Sequence, residues 1–260
     1  MSVSKVARIQ PIRERVSELE WQTRVDLAAA YRLTAIYGMT DLIYNHITAR
    51  VPGEDGHILI NPYGFLYTEI TASSLYKIDL DGNIVLRPET HYGINHAGYV
   101  IHSAIHGARH DVACVIHTHS RAGMAVSAMK CGLLPLTQTA MRFFGRVSYH
   151  PYEGPALDLA ERERLVRDLG ENDVMLLKNH GIIACGRSVA EAFNQLYWLE
   201  MACKAQVDCM AANTELELPS DDVAEKTAHL FAPGVRRVYG EMEWEAMLRQ
   251  LDREDRSYRG

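Results

Sequence analysis

The spacing of apolar residues changes along the chain, and this change restricts the fold more than any other feature. Residues 19–37 have helical spacing, whereas residues 47–78 form short β-type runs separated by Gly-containing turns such as Pro52-Gly53 and Tyr63-Gly64. Beyond residue 95, helical and strand patterns alternate. With 260 residues, the chain can bury one large core. We therefore predict a single α/β domain whose central sheet is flanked by helices.

The predicted elements divide the chain into three segments. Residues 1–18 form a polar N-terminal arm, residues 19–213 form the domain, and residues 214–260 form a helical tail that packs on the domain or on a neighbouring subunit. The predicted strands are 47–51, 57–61, 66–68, 75–78, 112–118, 174–177 and 182–185, and the predicted helices are 19–37, 95–108, 120–129, 158–169, 189–213, 221–231 and 241–255.

The charge balance favours a small-molecule partner. Lys and Arg total 27 against 33 Asp and Glu, so the net charge is −6 and gives no positive field to attract nucleic acid or an anionic membrane. The N-terminus has no apolar signal segment, and no stretch has the length of a transmembrane helix. We expect a cytoplasmic protein that binds neither nucleic acid nor membranes. Its five cysteines form no C-x-x-C pair.

Histidine is unusually common, with 12 copies, and two of them end a predicted strand. His117 and His119 are two residues apart, so their side chains point to the same face, as two ligands of one metal require. A second apolar strand ends before His180, where Gly181 would permit a sharp turn. Three imidazoles with an open coordination position are typical of a catalytic zinc-type site.

The remaining histidines are less suited to bind a metal. His102 and His106 share a helical face and could chelate a metal, but their apolar neighbours favour a core or supporting position. The role of His150 is left open. Turns or polar surroundings favour a solvated position for the others, which are His46, His57, His91, His110 and His229.

Five blocks of sequence resemble the class II aldolase/adducin family over residues 21–210. The blocks are 44–50 (YNHITAR), 60–64 (INPYG), 102–119 with its His-Thr-His motif, 149–154, and 177–181 (LKNHG). Residues 95–99 and 128–135 are most similar to the adducin branch, although nothing after residue 215 resembles the long basic tail of adducin.

The resemblance implies a fold, an assembly and a metal. The fold is an α/β/α sandwich with a mainly antiparallel sheet, and the subunits form a homotetramer with sites near the interfaces. A divalent metal ion is held by the residues matching His117, His119 and His180. In the aldolases this ion is commonly zinc, and manganese or iron(II) are the alternatives.

The departures from the family pattern concern phosphate binding and acid/base chemistry. The positions of two phosphate-binding serines and the acid/base glutamate are occupied by His96, Ala97 and Gly98, and a small threonine is replaced by Tyr63. The family's proton-donating tyrosine falls near Thr139. These changes argue against a sugar phosphate substrate and standard aldolase chemistry. His96 is the candidate acid/base, because an imidazole titrates near neutral pH.

Five residues are candidates for substrate binding. Arg142 could hold a substrate carboxylate through a bidentate contact, or it could form a surface or interface ion pair. The amides of Asn45 and Asn61 could donate hydrogen bonds or cap their own turns. Tyr63 and Gly64 complete the predicted pocket.

Three functions fit these residues. The first is a divalent-metal-dependent lyase that performs aldol cleavage or decarboxylation, through a metal-stabilised enolate, on a small, non-phosphorylated carboxylate or carbonyl substrate. The second is a non-haem iron(II) oxygenase on the same fold. The third is a non-catalytic, adducin-like interaction module, which the missing glutamate favours and the three intact histidines oppose.

Overall fold

The computed structural model describes residues 10–154 and 159–260, without the side chains of residues 96–98, 159 and 160. Within these residues, eight strands form one sheet in the order β4-β3-β2-β1-β5-β8-β7-β6. The strands are β1 (His46–Arg50), β2 (His57–Ile60), β3 (Tyr76–Asp79), β4 (Ile84–Leu86), β5 (Cys114–Thr118), β6 (Val147–His150), β7 (Val174–Leu177) and β8 (Gly181–Gly186). Neighbouring strands are antiparallel except β6 and β7, which are parallel.

Helices cover both faces of the sheet. They are α1 (Glu18–Ile36), α2 (His96–Ala108), α3 (Arg121–Ser127), α4 (Gln138–Met141), α5 (Leu159–Leu169), α6 (Val189–Ala211), α7 (Asp221–Leu230) and α8 (Glu241–Glu254). On β5 the alternation of side chains divides the core, because Ile116 packs with α1, α3 and α6, whereas Val115 packs with α2 and α5. The predicted α/β/α sandwich with a mainly antiparallel sheet is confirmed.

One predicted strand is wrong. Tyr67–Glu69 form a single 3-10 turn that follows Leu66, and the Glu69 carboxylate accepts a hydrogen bond from the Leu66 backbone N–H at 2.7 Å. The Tyr67 ring packs edge-on against Tyr31, with 4.6 Å between centroids. A short run of residues typical of strands can therefore come from a turn that anchors one aromatic ring.

Three short elements escaped the sequence patterns. Strand β4 is at the sheet edge, and two of its three residues, Ile84 and Val85, are exposed. Strand β6 pairs in parallel only with β7, and its Tyr149 is exposed. Helix α4 has a single turn, capped by Thr137, whose side chain accepts from the Ala140 N–H at 3.1 Å. None of these three elements is long enough for its apolar residues to show a helical or a strand period.

The C-terminal tail packs on the domain of its own chain. The indole N–H of Trp244 in α8 donates to the Asp26 carboxylate of α1 at 3.1 Å. Tyr258 is fully buried in the core between these elements. Among the helices of the described residues, none combines the length and the apolar character that crossing a membrane requires.

Candidate metal centre

The three predicted histidine ligands meet at one edge of the sheet. His117 belongs to the end of β5, His119 follows it, and His180 lies in the turn between β7 and β8. The ring centroids are 4.8 Å apart for His117–His119 and for His117–His180, and 4.7 Å apart for His119–His180. Within the described part of the chain, they form the one group of three His, Cys, Asp or Glu side chains arranged closely enough to hold a metal ion.

Close packing of β8 against β5 brings His180 to the other two ligands. A Cβ atom on Gly181 would lie 2.5 Å from the carbonyl oxygen of Thr118, so only glycine permits this approach. The left-handed residue of the turn is Asn179, with φ of 58°. This corrects the sequence interpretation, because Gly181 is required for space rather than for the conformation of the turn.

Hydrogen bonds fix the tautomers of two ligands. Nδ1 of His117 lies 3.0 Å from the carbonyl oxygen of Ile182, and Nδ1 of His119 lies 3.0 Å from a carboxylate oxygen of Asp41. Both partners are acceptors, so Nδ1 of each ring carries a proton and donates it. In the neutral imidazoles, Nε2 is then an unprotonated lone pair. These two Nε2 atoms face each other at 3.1 Å.

A divalent cation bound between the two Nε2 atoms would relieve the repulsion between their lone pairs. Burial lowers the pKa of His117 well below its usual value and lowers that of His180 to about 4, so protonation is unfavourable. Tetrahedral coordination at zinc–nitrogen distances of about 2.0–2.1 Å separates ligand nitrogens by about 3.3 Å. The 3.1 Å separation between the Nε2 atoms of His117 and His119 is close to that value. The donor set therefore fits a divalent metal with an open position.

The loop before β1 supports the site from the other side. Besides Asp41, this loop contributes Asn45, whose side-chain oxygen accepts a hydrogen bond from the His119 backbone N–H at 3.3 Å. Asn45 is 4% exposed, and its amide nitrogen is buried without a hydrogen-bond partner among the described residues. Its φ of 70° is left-handed, which asparagine tolerates. The described residues therefore leave one buried donor beside His119 without an acceptor.

Sequence reasoning did not identify Asp41 or Tyr152 as site residues. Asp41 lies in a loop with no periodic pattern, so only the fold brings it to His119. The ring of Tyr152 lies 6.1 Å from that of His180. The family block that contains Tyr152 was the only available signal for it.

The other predicted residues of this edge lie after β2. The side-chain oxygen of Asn61 is 2.8 Å from the Tyr31 hydroxyl, and its amide nitrogen donates to the Pro62 carbonyl at 3.2 Å. Asn61 is therefore used inside the protein rather than at an open face of the site. The Tyr63 ring is half-buried and lies 6.4 Å from that of Tyr44.

Gly64 is required at its position for a steric reason. Its φ is 116°, and a Cβ atom there would lie 2.6 Å from the Tyr92 ring. No side chain fits between these segments, so Gly64 shapes the loop that carries Tyr63.

Arg142 lies at the opposite end of the sheet from the triad. It lines a cavity with Asp173 and Val174, at the start of β7, whereas His180 follows the end of that strand. The prediction that Arg142 binds a substrate at the metal of its own chain is therefore corrected. Its guanidinium packs among aromatic rings of α6 and the C-terminal tail, which draw it away from that edge.

Further histidines form a buried layer between the sheet and α2. The Thr48 hydroxyl lies 2.8 Å from Nδ1 of His102 and 2.9 Å from Nε2 of His106, and neither ring joins the triad. His46 is paired in register with His117 and is buried, with its pKa lowered to about 4 by burial. The expected solvated position of His46 is wrong, because its alternating side chain faces α2.

The remaining histidines belong neither to the triad nor to this buried layer. His150, which the sequence left open, is buried and lies 2.8 Å from the Asp168 carboxylate through Nδ1. His57 is half-buried beside Glu54, and the exposed histidines are His91, His110 and His229. The candidate acid/base His96 is the first residue of α2, and its side chain lies outside the described residues.

This fold and its histidine cluster define a class II aldolase-type protein. The chain belongs to that family, since the sequence profile of the class II aldolase and adducin N-terminal domain matches residues 25–207.

Individual relatives agree with this family assignment. A protein from Caulobacter vibrioides with a provisional class 2 aldolase name is 47% identical over 95% of this chain and 95% of its own length. Alpha-adducin from Rattus norvegicus is 44% identical over 88% of this chain, a match that spans 33% of the adducin. The crystal structure of an aldolase II superfamily protein from Pseudomonas syringae has a TM-score of 0.90 and 53% identity, and the match covers 96% of this chain and 100% of that one.

Proposed function

We propose that this protein is a divalent-metal-dependent carbon–carbon lyase that acts on a small, non-phosphorylated carboxylate or carbonyl compound by aldol cleavage or decarboxylation. The observation that carries this proposal is the pair of unprotonated Nε2 atoms of His117 and His119, 3.1 Å apart, with His180 beside them. When bound, the metal ion would polarise a substrate carbonyl and stabilise the negative charge left by bond cleavage. Zinc is the first candidate, with manganese and iron(II) as alternatives.

The residues around the triad bind and orient the substrate in this proposal. The buried amide nitrogen of Asn45 donates a hydrogen bond to a substrate oxygen, which satisfies a donor that has no partner among the described residues. Asp41 keeps the proton of His119 on Nδ1 and holds the ring in place. His96, at the start of α2, is the proposed acid/base group.

The lack of phosphate-binding groups supports a non-phosphorylated substrate. Tyr63 occupies the position of a small family residue, and its ring centroid lies 6.4 Å from that of Tyr44. A large ring there takes the space that a phosphate would need. His96 and Ala97 replace the two serines, which further reduces the number of hydroxyl donors.

Metal loading and substrate screening test this proposal. Protein loaded with zinc, manganese or iron(II) would be incubated without oxygen with hydroxy and keto carboxylates and with their phosphorylated counterparts. We expect release of carbon dioxide or an aldehyde only from the non-phosphorylated compounds, and none from His117→Ala. Preference for the phosphorylated compounds would contradict the substrate class. The iron(II) protein would also be incubated in air, and turnover that occurs only there, with oxygen uptake, would support the oxygenase instead.

The adducin-like module is the second candidate, because the match to alpha-adducin covers 88% of this chain. It predicts no turnover of any compound even by the fully metal-loaded protein. The intact triad and its fixed tautomers favour the lyase, since a binding module needs no unprotonated nitrogen pair.

We also propose a homotetramer with the metal centres near its interfaces. The loop that carries Asp41 and Asn45 exposes the apolar Leu42 (69%) and Tyr44 (46%) beside the triad. Burial of such side chains between subunits would remove their contact with water. Light scattering should give about four times the subunit mass of 29.3 kDa, and a monomeric mass would contradict the assembly.

A further inference from the structure

Arg142 is a buried cation surrounded by aromatic rings. It is 7% exposed, and its Cζ atom lies 4.7–5.6 Å from four ring centroids. The rings belong to Phe143, Trp198, Phe231 and Tyr239. All four distances are within the range of about 6 Å at which a cation is attracted to the face of a ring. The aromatic rings hold the guanidinium in place without neutralising it.

No carboxylate within residues 10–154 and 159–260 forms an ion pair with this guanidinium, and Glu243, which acts on it electrostatically, is paired with Arg237. Its Nη2 atom donates to the Asn194 side-chain oxygen at 3.1 Å, which uses one of the five guanidinium N–H groups. A buried charge without an opposite charge is costly. Burial accordingly lowers the pKa of Arg142 to about 10, which still leaves it charged at neutral pH. An anion would supply the missing partner.

Arg142 lines a cavity large enough for a small molecule. The cavity has a volume of about 420 Å³ and also carries Gln195, whose amide can donate hydrogen bonds. Small-molecule sites commonly have volumes of about 300–1,000 Å³. The apolar part of its wall consists of Phe231, Pro233, Val238 and Tyr239.

The other arginines of this cavity already have partners. Arg187 pairs with Glu191 at 3.1 Å, and Arg237 pairs with Glu243. Glu241 also lines the wall. Of the three arginines that line this cavity, Arg142 is therefore the one that forms no ion pair with a carboxylate of the described residues.

We propose that this cavity is a second binding site, distinct from the metal centre, for a small organic anion. Arg142 would bind its carboxylate or phosphate group, and the aromatic wall would contact its apolar body. The site lies at the start of β7, at the opposite end of the sheet from His180. This proposal does not depend on the lyase activity.

Thermal unfolding and calorimetry with two probes test the site. Benzoate represents a carboxylate with an apolar body, and inorganic phosphate represents the phosphate group, and both are titrated into the full chain after removal of free metal. We expect a saturable rise in Tm with at least one probe, and the probe that binds more tightly identifies the preferred head group. Arg142→Gln should abolish this rise, and Arg142→Lys should weaken binding at least tenfold, because lysine lacks the planar fork of donors.

Two further variants distinguish this site from other sources of binding. Arg236→Gln removes the same charge from an exposed position of the neighbouring loop and should bind as the unmodified protein does. His117→Ala should also retain binding, because the metal centre is not involved. Absence of a saturable rise with either probe would overturn the proposal, as would equal affinity in Arg142→Gln or loss of binding in His117→Ala. If Arg142→Gln does not fold, Arg142→Lys decides the outcome.

Discussion

The Asp41 carboxylate accepts a hydrogen bond from Nδ1 of His119 at 3.0 Å, on the side of the ring away from the other two histidines. This contact keeps the proton on Nδ1 and leaves Nε2 free for a metal ion. The carbonyl oxygen of Ile182 does the same for His117. A loop and a strand that are distant in sequence thus prepare adjacent nitrogens for one metal ion.

Removal of the Asp41 carboxylate should weaken metal binding. For Asp41→Ala we expect a loss of about 10–100-fold in metal affinity, because His119 loses both its orientation and its preferred tautomer. Competition with a chelator of known affinity measures this change. Asp55→Ala removes an exposed carboxylate from a turn and is the matched control. Equal affinities of the two variants would show that Asp41 does not support the site.

Gly181→Ala should damage the fold and the site together. The added Cβ atom would lie 2.5 Å from the Thr118 carbonyl oxygen, so β8 must move away from β5. We expect a loss of about 1–3 kcal/mol in the free energy of unfolding, together with reduced metal occupancy. Gly93→Ala is the control, since its Cβ atom would meet nothing within 4 Å. Chemical denaturation compares the two, and equal stability would refute the role of Gly181 as a close contact.

Asn45→Asp should impair substrate binding without loss of metal. The substitution keeps the side-chain oxygen that accepts from His119 but replaces the unpartnered amide donor with a second acceptor. For a substrate identified by the screen, we expect KM to rise at least tenfold at unchanged metal content. Asn213→Asp is the matched control, because Asn213 is also left-handed, with φ of 51°, and is exposed. An unchanged KM would mean that the amide does not contact the substrate.

The sequence predicted that the three histidines converge, because strand alternation is a local property. His117 and His119 must share a face once β5 is recognised, and an apolar run before His180 indicates the second strand. Asp41 could not be found in this way, since its contact with His119 depends on how a loop without periodicity returns to the sheet. The position of Arg142 could not be predicted for a related reason, because this residue follows α4, a four-residue helix that is too short to show a period.

Buried charges were equally hard to anticipate. Glu20 in α1 pairs with Arg24 at 2.9 Å and with Lys77 of β3 at 2.7 Å, and Glu20 and Arg24 are almost fully inaccessible. The helical pattern predicted α1 correctly, but spacing alone does not show that polar positions of the helix are covered by a strand distant in sequence.

Glu20→Gln should strongly destabilise the protein. The substitution leaves the buried Arg24 without a carboxylate partner and leaves Lys77 with Glu54 alone, so we expect a loss of about 3–5 kcal/mol in the free energy of unfolding. The neighbouring Glu18 forms an exposed ion pair with Arg13, and Glu18→Gln should cost less than about 1 kcal/mol. Urea denaturation of both variants provides the comparison. A small effect at Glu20 would mean that the two cations find other partners.

The metal content of the purified protein tests the central claim most directly. Protein dialysed against zinc and then freed of excess metal would be analysed by inductively coupled plasma mass spectrometry, together with His117→Ala and His180→Ala. We predict one bound ion per subunit in the unmodified chain and less than one tenth of that in each variant, provided that circular dichroism shows that both variants fold. Equal metal content in all three folded proteins would contradict the assignment of His117, His119 and His180 as the metal ligands.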